Sequence, residues 1–389
     1  MTKNNFKTIA LTGGEAAAEA MRQINPAVFS AYPITPQTPI IEKFAKIVEQ
    51  GLVETKFISV ESEHSAMSLM VGAAAAGGRA MTATSSQGLA LMIEILPITS
   101  GLRLPVVMNL AMRSISAPLN IHNDHQDAML ARDLGWIQIF CENNQEVYEN
   151  NFLAVRLAEN SKVKLPVMVC QDGFIASHNL EGVKVYDDKI IKNFVGDYTP
   201  ENYLLNLKKP LTIGAFVMPD YYFEIKKQVA DAMNEAKKVY LKIGQELKKI
   251  TGNNYGYFEQ YFMSDAKAVI VAMGSVSGTA KAAVDKLRSQ GKKVGLLKIN
   301  LYRPFPYQEV EKVLNKIKFV GILERVMGCG SITPLTSDIS ECLNSKTSRQ
   351  TYILGLGGRD VQMEEIEGIF NDLLKGKLSK EPKYVGLKN

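Results

Sequence analysis

Three polar residues that could bind a ligand or take part in catalysis follow apolar segments of the sequence. The first is Thr35. The stretch YPITPQTPI holds Thr35 extended, because a residue before proline avoids the helical region and proline donates no N–H. A hydroxyl fixed in this way can face a ligand. Thr35 or Thr38 could instead cap the next helix, with proline at its first position. One helix needs only one cap, so one threonine remains for another role.

The second residue, Glu63, opens a predicted helix in the stretch VESEHSAM. The helix dipole stabilises an acid at a helix N-terminus, and this is the simplest explanation of its position. Ala66, Met67 and Met70 follow at helical spacing, however, so the carboxylate is expected to lie against apolar surface. Desolvation there favours the protonated form, which suits proton exchange with a heterocycle.

The third residue, Arg113, follows the strongly apolar segment LPVVMNLAM. Its planar guanidinium can bind a carboxylate through two N–H groups, whereas a surface salt bridge is the alternative explanation. Ligands of doubly wound α/β proteins bind at the carboxyl ends of the strands, where all three residues are expected. The three are therefore candidates for a ligand site.

The elements that must position these residues alternate between continuous apolar strands and helices, which predicts parallel sheets covered on both faces. With 389 residues the chain is too long for one ordinary core. We expect an α/β protein with two doubly wound parallel-sheet domains, at residues 1–264 and 265–389. Within the first we expect an extended arm at 179–220 and a long helix at 221–250.

Composition narrows the function classes. The formal charge of +5 is small and its lysines are scattered, so no nucleic-acid patch is expected. No run of eighteen apolar residues occurs and the start MTKNNFKTIALTGG does not resemble a signal peptide, so we expect a cytoplasmic protein without membrane contact.

The four cysteines are far apart, so no metal site is expected and buried free thiols are the prediction. The segments TGGEAAAEAM, AMGSVSGTA and GLGGRD do not complete nucleotide-binding patterns.

The ordered set of motifs resembles a known family. The segments YPITPQTPI, VESEHSAM, TATSSQGLALM, MRSISAP, NDHQD, PVMVCQDGFIASH, VAMGSVSGT, YRPFP and GLGGRD occur in the order seen in the alpha subunit of pyruvate:ferredoxin oxidoreductase. This is the thiamine-diphosphate-dependent 2-oxoacid:ferredoxin oxidoreductase family. The resemblance covers nearly the whole chain and implies a pyrimidine-binding domain followed by a domain similar to the transketolase C-terminal domain.

The resemblance also implies roles for single residues. Glu63 matches the glutamate that bonds N1′ of the aminopyrimidine of thiamine diphosphate. Pro33, in the loop that holds Thr35, is expected to bind the same cofactor. Arg113 matches the arginine that holds the 2-oxoacid carboxylate, and Thr35 the threonine that hydrogen-bonds the substrate beside it. The implied reaction is the reversible oxidative decarboxylation of pyruvate with coenzyme A, with electrons passed singly to ferredoxin.

The resemblance further implies partners. A beta subunit would share the thiamine diphosphate and supply the Mg²⁺ and a [4Fe–4S] cluster, and gamma and delta subunits would complete a dimer of heteromers. The chain itself has neither a Gly-Asp-Gly motif nor a Cys-x-x-Cys pair, which agrees with that division. Three alternatives remain open: a subunit acting on branched-chain or other 2-oxoacids, a non-catalytic scaffold subunit, and a nucleotide binder of Rossmann type. The last is disfavoured because this sequence lacks the glycine fingerprint of such proteins.

Overall fold

The computed structural model describes residues 6–388, and their first part alternates strands and helices as the periodicity predicts. The strands are β1 (Phe6–Thr12), β2 (Val28–Phe29), β3 (Lys56–Phe57), β4 (Ala80–Thr84), β5 (Val106–Met112), β6 (Ile137–Phe140), β7 (Val167–Asp172) and β8 (Leu180–Tyr186). The helices are α1 (Gly13–Ile24), α2 (Thr38–Glu49), α3 (Glu63–Ala75), α4 (Ser86–Met92), α5 (Ile95–Gly101), α6 (Gln126–Leu130), α7 (Asn144–Glu159), α8 (Asp188–Val195) and α9 (Pro219–Thr251).

The remaining elements form a second α/β unit. Its strands are β9 (Phe258–Tyr261), β10 (Ala268–Ala272), β11 (Val294–Ile299), β12 (Leu301–Arg303), β13 (Phe319–Glu324), β14 (Ser348–Ile353) and β15 (Lys383–Tyr384). Its helices are α10 (Val276–Ser289), α11 (Tyr307–Leu314), α12 (Pro334–Glu341), a 3-10 turn (Leu356–Gly358) and α13 (Met363–Leu374).

Two mixed sheets form the framework. The first sheet has the order β12, β6, β7, β5, β4, β2, β3, and the second has the order β15, β14, β13, β10, β11, β9. Neighbouring strands run parallel except at one edge of each sheet, where β12 pairs antiparallel with β6 and β9 with β11. Strands β4, β5, β6 and β7 are buried throughout, as expected for strands covered on both faces. The fold is thus α/β, built on two largely parallel sheets.

Strand β12 shows that the two units share structure. Its residues, Leu301–Arg303, follow β11 of the second sheet but pair with Gln138 and Ile139 at the edge of the first. One apolar cluster also continues from Met67 and Leu89 of the first unit to Val269 and Phe305 of the second unit. The domain division after residue 264 stays a prediction, because β12 comes after this position in the sequence but pairs with a strand that comes before it.

The segment expected to be an extended arm is more ordered than the sequence indicates. Strand β8 pairs antiparallel with β1 over its full length, and α8 follows directly. Irregular backbone is confined to residues 196–218, after which α9 contains the whole of the expected helix at 221–250. The partner of β8 lies at the start of the chain, so no local pattern could show the pairing.

Two further features bear on the sequence-based expectations. None of the helices in the described part of the chain has the length and apolar composition needed to cross a membrane. Cys141, Cys170 and Cys342 are buried as predicted, but Cys329 is exposed, because it lies in the loop between β13 and α12.

Candidate functional site

The candidate residues lie along one edge of the first sheet. Thr35 follows β2, Glu63 follows β3 and Arg113 follows β5 directly, while α4 begins just after β4. These four strands are neighbours in the sheet and run parallel, so their carboxyl ends meet at one edge. The fold therefore brings the three predicted residues to the same side of the molecule.

Glu63 is the first residue of α3, and Ser62 forms the cap by accepting a hydrogen bond from Ser65 N–H at 3.2 Å. The Glu63 side chain is only 8% exposed, and this burial raises its pKa above the ordinary value. Its carboxylate forms no hydrogen bond or salt bridge to another side chain within residues 6–388. A buried carboxyl group without a side-chain partner is free to bind and exchange a proton with a ligand.

The glycine at position 88 lets α4 approach this carboxyl group. A Cβ added to Gly88 would lie 2.8 Å from Glu63 Oε1 and 2.4 Å from Thr84 Oγ1, closer than real contacts allow. The Thr84 hydroxyl is itself buried without a hydrogen-bond partner in the described structure. An acid and an unpaired hydroxyl therefore flank one glycine. Polar groups of this kind fit a ligand such as an aminopyrimidine, which carries ring nitrogens and an amino donor.

Arg113 is buried, with 6% of its surface exposed, and burial lowers its pKa. Its Nε donates to the Asn120 carbonyl at 3.0 Å and its Nη1 to the Thr35 carbonyl at 2.8 Å. It forms no salt bridge to the residues that the structure describes, so the alternative of a surface ion pair is wrong. Nη2 has no protein acceptor there, and the guanidinium can still offer N–H groups to a carboxylate.

Thr35 is linked to Arg113 through its backbone carbonyl. Its hydroxyl has no hydrogen-bond partner among residues 6–388. The predicted threonine cap is wrong: α2 begins at Thr38, the cap position is Gln37, and no side chain caps it. Gln37 is instead fully buried and donates from Nε2 to the Ala83 carbonyl at 3.1 Å. The loop is thus fastened to β4 by glutamine, and neither threonine is used as a cap.

Pro33 is exposed in the same loop, two residues before Thr35. Its proposed contact with a cofactor stays a prediction, since no residue of the described chain defines a pocket around it. Because Pro33 is exposed, a ligand or a partner subunit could reach it.

A buried carboxylate that sequence reasoning missed, Asp127, joins two of these strand ends. Asp127 Oδ2 accepts the backbone N–H groups of Ser86 at 2.8 Å and Arg113 at 3.0 Å. Burial raises its pKa to about 7, although the backbone hydrogen bonds favour the ionised form. Asp127 is the last residue of the motif NDHQD, which follows β5 and Arg113, so the signal available in the sequence was a cluster of polar residues after an apolar strand.

A second group of charges, also missed, lies at the end of β7 where the two sheets meet. Asp172 is fully buried and accepts from His125 Nε2 at 2.9 Å, Arg325 Nη1 at 3.1 Å and Ser275 N–H at 2.9 Å. Burial alone would raise the pKa of Asp172, but His125 and Arg325 outweigh it and hold the pKa below its ordinary range. Only the tertiary structure brings these distant residues together.

Comparison with known proteins gives matches along nearly the whole chain. The family model described as "Pyruvate flavodoxin/ferredoxin oxidoreductase, thiamine diP-bdg" matches residues 19–245, and "Pyruvate:ferredoxin oxidoreductase core domain II" matches 266–366. The pyruvate synthase subunit PorA of Thermotoga maritima is 50% identical over 384 residues, 98% of each chain. The same subunit of Methanocaldococcus jannaschii is 45% identical over 381 residues, 97% of each chain. The ketoisovalerate oxidoreductase subunit VorA of Pyrococcus horikoshii is 39% identical over 396 residues, 100% of each.

Solved structures share the fold. A 2-oxoglutarate:ferredoxin oxidoreductase from Magnetococcus marinus superposes with a TM-score of 0.76 at 19% identity, covering 94% of this chain. This chain spans 65% of that one. A split-gene transketolase superposes with a TM-score of 0.55 at 12% identity, covering 94% of this chain and 98% of the other. At these identities the likeness concerns the fold alone, and it supports two parallel-sheet units of the kind predicted.

Proposed function

The chain belongs to the pyruvate:ferredoxin oxidoreductase family, and from this premise we propose that it is the substrate-binding subunit of a pyruvate synthase. The reaction is pyruvate + coenzyme A + 2 oxidised ferredoxin → acetyl-CoA + CO₂ + 2 reduced ferredoxin + H⁺, and it is reversible. The two electrons from the oxidised substrate leave one at a time. The chain acts together with its partner subunits.

The observation that supports this proposal best is the state of Arg113. The guanidinium is buried, is held by two carbonyl groups and has N–H groups without protein acceptors. A buried cation with free donors is stable only when an anion or other acceptor satisfies it in the working complex. A 2-oxoacid carboxylate matches this fork in charge and geometry. The Thr35 hydroxyl, next to the Arg113–carbonyl contact, would then hydrogen-bond the same substrate.

Glu63 is proposed to hold the aminopyrimidine of thiamine diphosphate, which when bound supplies the electron sink for loss of CO₂. Burial raises the pKa of Glu63 and so favours its protonated form, which can share a proton with a ring nitrogen. Pro33 is proposed as an apolar contact of the same cofactor. Family membership supports this assignment, and so does the absence of a competing side-chain partner for the Glu63 carboxylate in the described residues.

The finer partner assignments are also proposals. Beta, gamma and delta subunits would form a dimer of heteromers with this chain, carry the Mg²⁺ and [4Fe–4S] clusters, and pass electrons to ferredoxin. The relatives are named as subunits, which supports a heteromeric complex. The irregular segment 196–218 and the start of α9 support it further, because they expose large apolar side chains: Leu205, Leu207, Phe216, Met218, Tyr221, Tyr222 and Phe223.

A second candidate substrate is a branched-chain 2-oxoacid. The ketoisovalerate oxidoreductase relative matches the whole chain, and a carboxylate-binding arginine would serve either substrate. The higher identity to pyruvate synthase subunits favours pyruvate. A non-catalytic scaffold would have no need for the open hydrogen-bonding groups of Thr35, Glu63 and Arg113 at one sheet edge.

A substrate panel on the co-purified complex tests the proposal. Pyruvate, 2-oxoisovalerate, 2-oxoglutarate and oxalate are each supplied with coenzyme A and a viologen electron acceptor, and kcat/KM is measured. We expect the highest kcat/KM with pyruvate. A higher value with 2-oxoisovalerate would assign the chain to the branched-chain enzymes, and no turnover with any 2-oxoacid would leave the scaffold alternative.

A further inference from the structure

One loop of the first unit is bonded to the second unit at three positions. This loop, residues 120–125, lies between Arg113 and α6. Asn120 Nδ2 donates to the Gly357 carbonyl at 3.1 Å, Gly358 N–H donates to the Asn123 carbonyl at 2.8 Å, and His125 N–H donates to the Arg325 carbonyl at 2.8 Å. The acceptors and donors of the second unit follow β13 and β14, so its strand ends face this loop.

The contacts at positions 357 and 358 require glycine. Gly357 and Gly358 have φ of +62° and +73°, a conformation that other residues adopt with strain. A Cβ on Gly357 would lie 2.6 Å from Asn120 Nδ2, and one on Gly358 would lie 2.4 Å from His122 Cβ. We name the segment Gly355–Gly358 the glycine loop. It packs against loop 120–125 so closely that positions 357 and 358 have no space for a Cβ.

Loop 120–125 in turn holds Arg113. The Asn120 carbonyl accepts from Arg113 Nε at 3.0 Å and from Ser114 Oγ at 3.0 Å. Ser114 N–H donates to the His122 carbonyl at 3.2 Å, so the residue after Arg113 is also bonded to this loop. The same asparagine that binds the glycine loop through its side chain thus binds Arg113 through its backbone.

We propose that the glycine loop of the second unit is a positioning element for the substrate carboxylate, because it sets the place of Arg113 through Asn120. The inference rests on the proposed role of Arg113. It gives the second unit a part in substrate binding, although none of its residues need touch the substrate. The glycine pattern that fits no nucleotide motif is explained by this close contact between the units.

The test compares two glycine substitutions in the co-purified complex. Gly358→Ala introduces both backbone strain and the contact with His122. Gly291→Ala, in an exposed turn of the second unit, has a similar φ of +78° and no atom within 4 Å of the added Cβ. We expect Gly358→Ala to raise the KM for pyruvate at least about tenfold with the KM for coenzyme A unchanged, and Gly291→Ala to leave both constants unchanged.

A second variant, Asn120→Asp, guards against a failure of Gly358→Ala to assemble. It keeps an acceptor for His122 N–H and removes the donor to Gly357. Hydrogen exchange of the peptide 113–126, measured in both variants, gives a readout that does not depend on turnover. We expect faster exchange in Gly358→Ala and Asn120→Asp than in the wild type or Gly291→Ala. Equal exchange in all four proteins would overturn the proposal.

The double variant with Arg113→Ala separates this inference from the proposed function. If the glycine loop acts through Arg113, Gly358→Ala adds little to the KM of an Arg113→Ala complex, whereas independent effects would multiply. A full additional increase would overturn the positioning role alone. An Arg113→Ala complex with the wild-type KM for pyruvate would instead overturn the role of Arg113 on which the inference rests.

Discussion

Two groups of polar side chains lie at neighbouring strand ends of the first sheet, and they differ in how fully they are paired. At the end of β7, Asp172 takes hydrogen bonds from His125, Arg325 and Ser275, and each partner comes from a different part of the chain. At the ends of β2, β3 and β5, Thr35, Glu63 and Arg113 keep atoms that have no acceptor or donor within residues 6–388.

The difference in pairing distinguishes side chains expected to stabilise the fold from side chains expected to take part in the reaction. A carboxylate whose charge is matched inside the protein has its pKa lowered and joins two units, as Asp172 does. A buried acid without such partners has its pKa raised by desolvation, as Glu63 does, and can exchange a proton with a ligand. Removal of a group is therefore expected to affect stability in the first case and turnover in the second.

The largest expected effect is that of Glu63→Gln in the assembled complex. The amide keeps the shape of the side chain but cannot share a proton, so turnover should fall by about 10²–10⁴-fold. The melting temperature should stay close to that of the wild type. Glu61→Gln, an exposed acid two residues earlier, is the matched control and should retain activity. Near-normal turnover of Glu63→Gln in a viologen-reduction assay would contradict the assignment.

The second effect is a loss of stability in Asp172→Ala. The change leaves Arg325 and His125 buried without their anion, which should cost about 3–5 kcal/mol in the free energy of unfolding. Denaturant unfolding measures it. Asp133→Ala, which removes an exposed carboxylate paired with Arg132, should cost at most about 1 kcal/mol. Equal losses in the two variants would show that the Asp172 network does not hold the units together.

The third prediction concerns pH and Asp127. Since burial raises its pKa from 3.8 to about 7, the folded protein keeps a proton that the unfolded chain has released between these values. Its contribution to stability should fall as the pH rises from about 4 to about 7, with a slope of at most about 1.4 kcal/mol per pH unit. The unfolding free energy of the wild type minus that of Asp127→Asn should fall over this range, because the amide does not titrate. Parallel pH profiles would contradict it.

The smallest effect is expected for Thr35→Val. Valine keeps the shape of the side chain and loses one hydrogen bond to substrate, worth about 1 kcal/mol, or roughly a fivefold increase in the KM for pyruvate. Thr38→Val, at the first residue of α2, is the matched control and should leave KM unchanged. Unchanged kinetics in Thr35→Val would leave the hydroxyl without a role in binding.

Much of the fold follows from local pattern. Continuous apolar strands alternating with helices predicted the two α/β units, and the segment after each strand located Thr35, Glu63 and Arg113 at the correct ends. The family assignment likewise came from ordered motifs and is confirmed by the comparisons. The roles of the three residues stay predictions.

Other features depend on contacts between residues far apart in the chain, which local pattern does not contain. The pairing of β1 with β8, the place of β12 in the first sheet and the partners of Asp172 are of this kind. The glycine loop is the clearest case. Its sequence shows three glycines, but only the packed structure shows that Asn120 and His122 occupy the space that a Cβ would need. Sequence by itself determined which residues stand at the strand ends, and tertiary packing decided which of them are paired and which remain open, because pairing depends on distance in space.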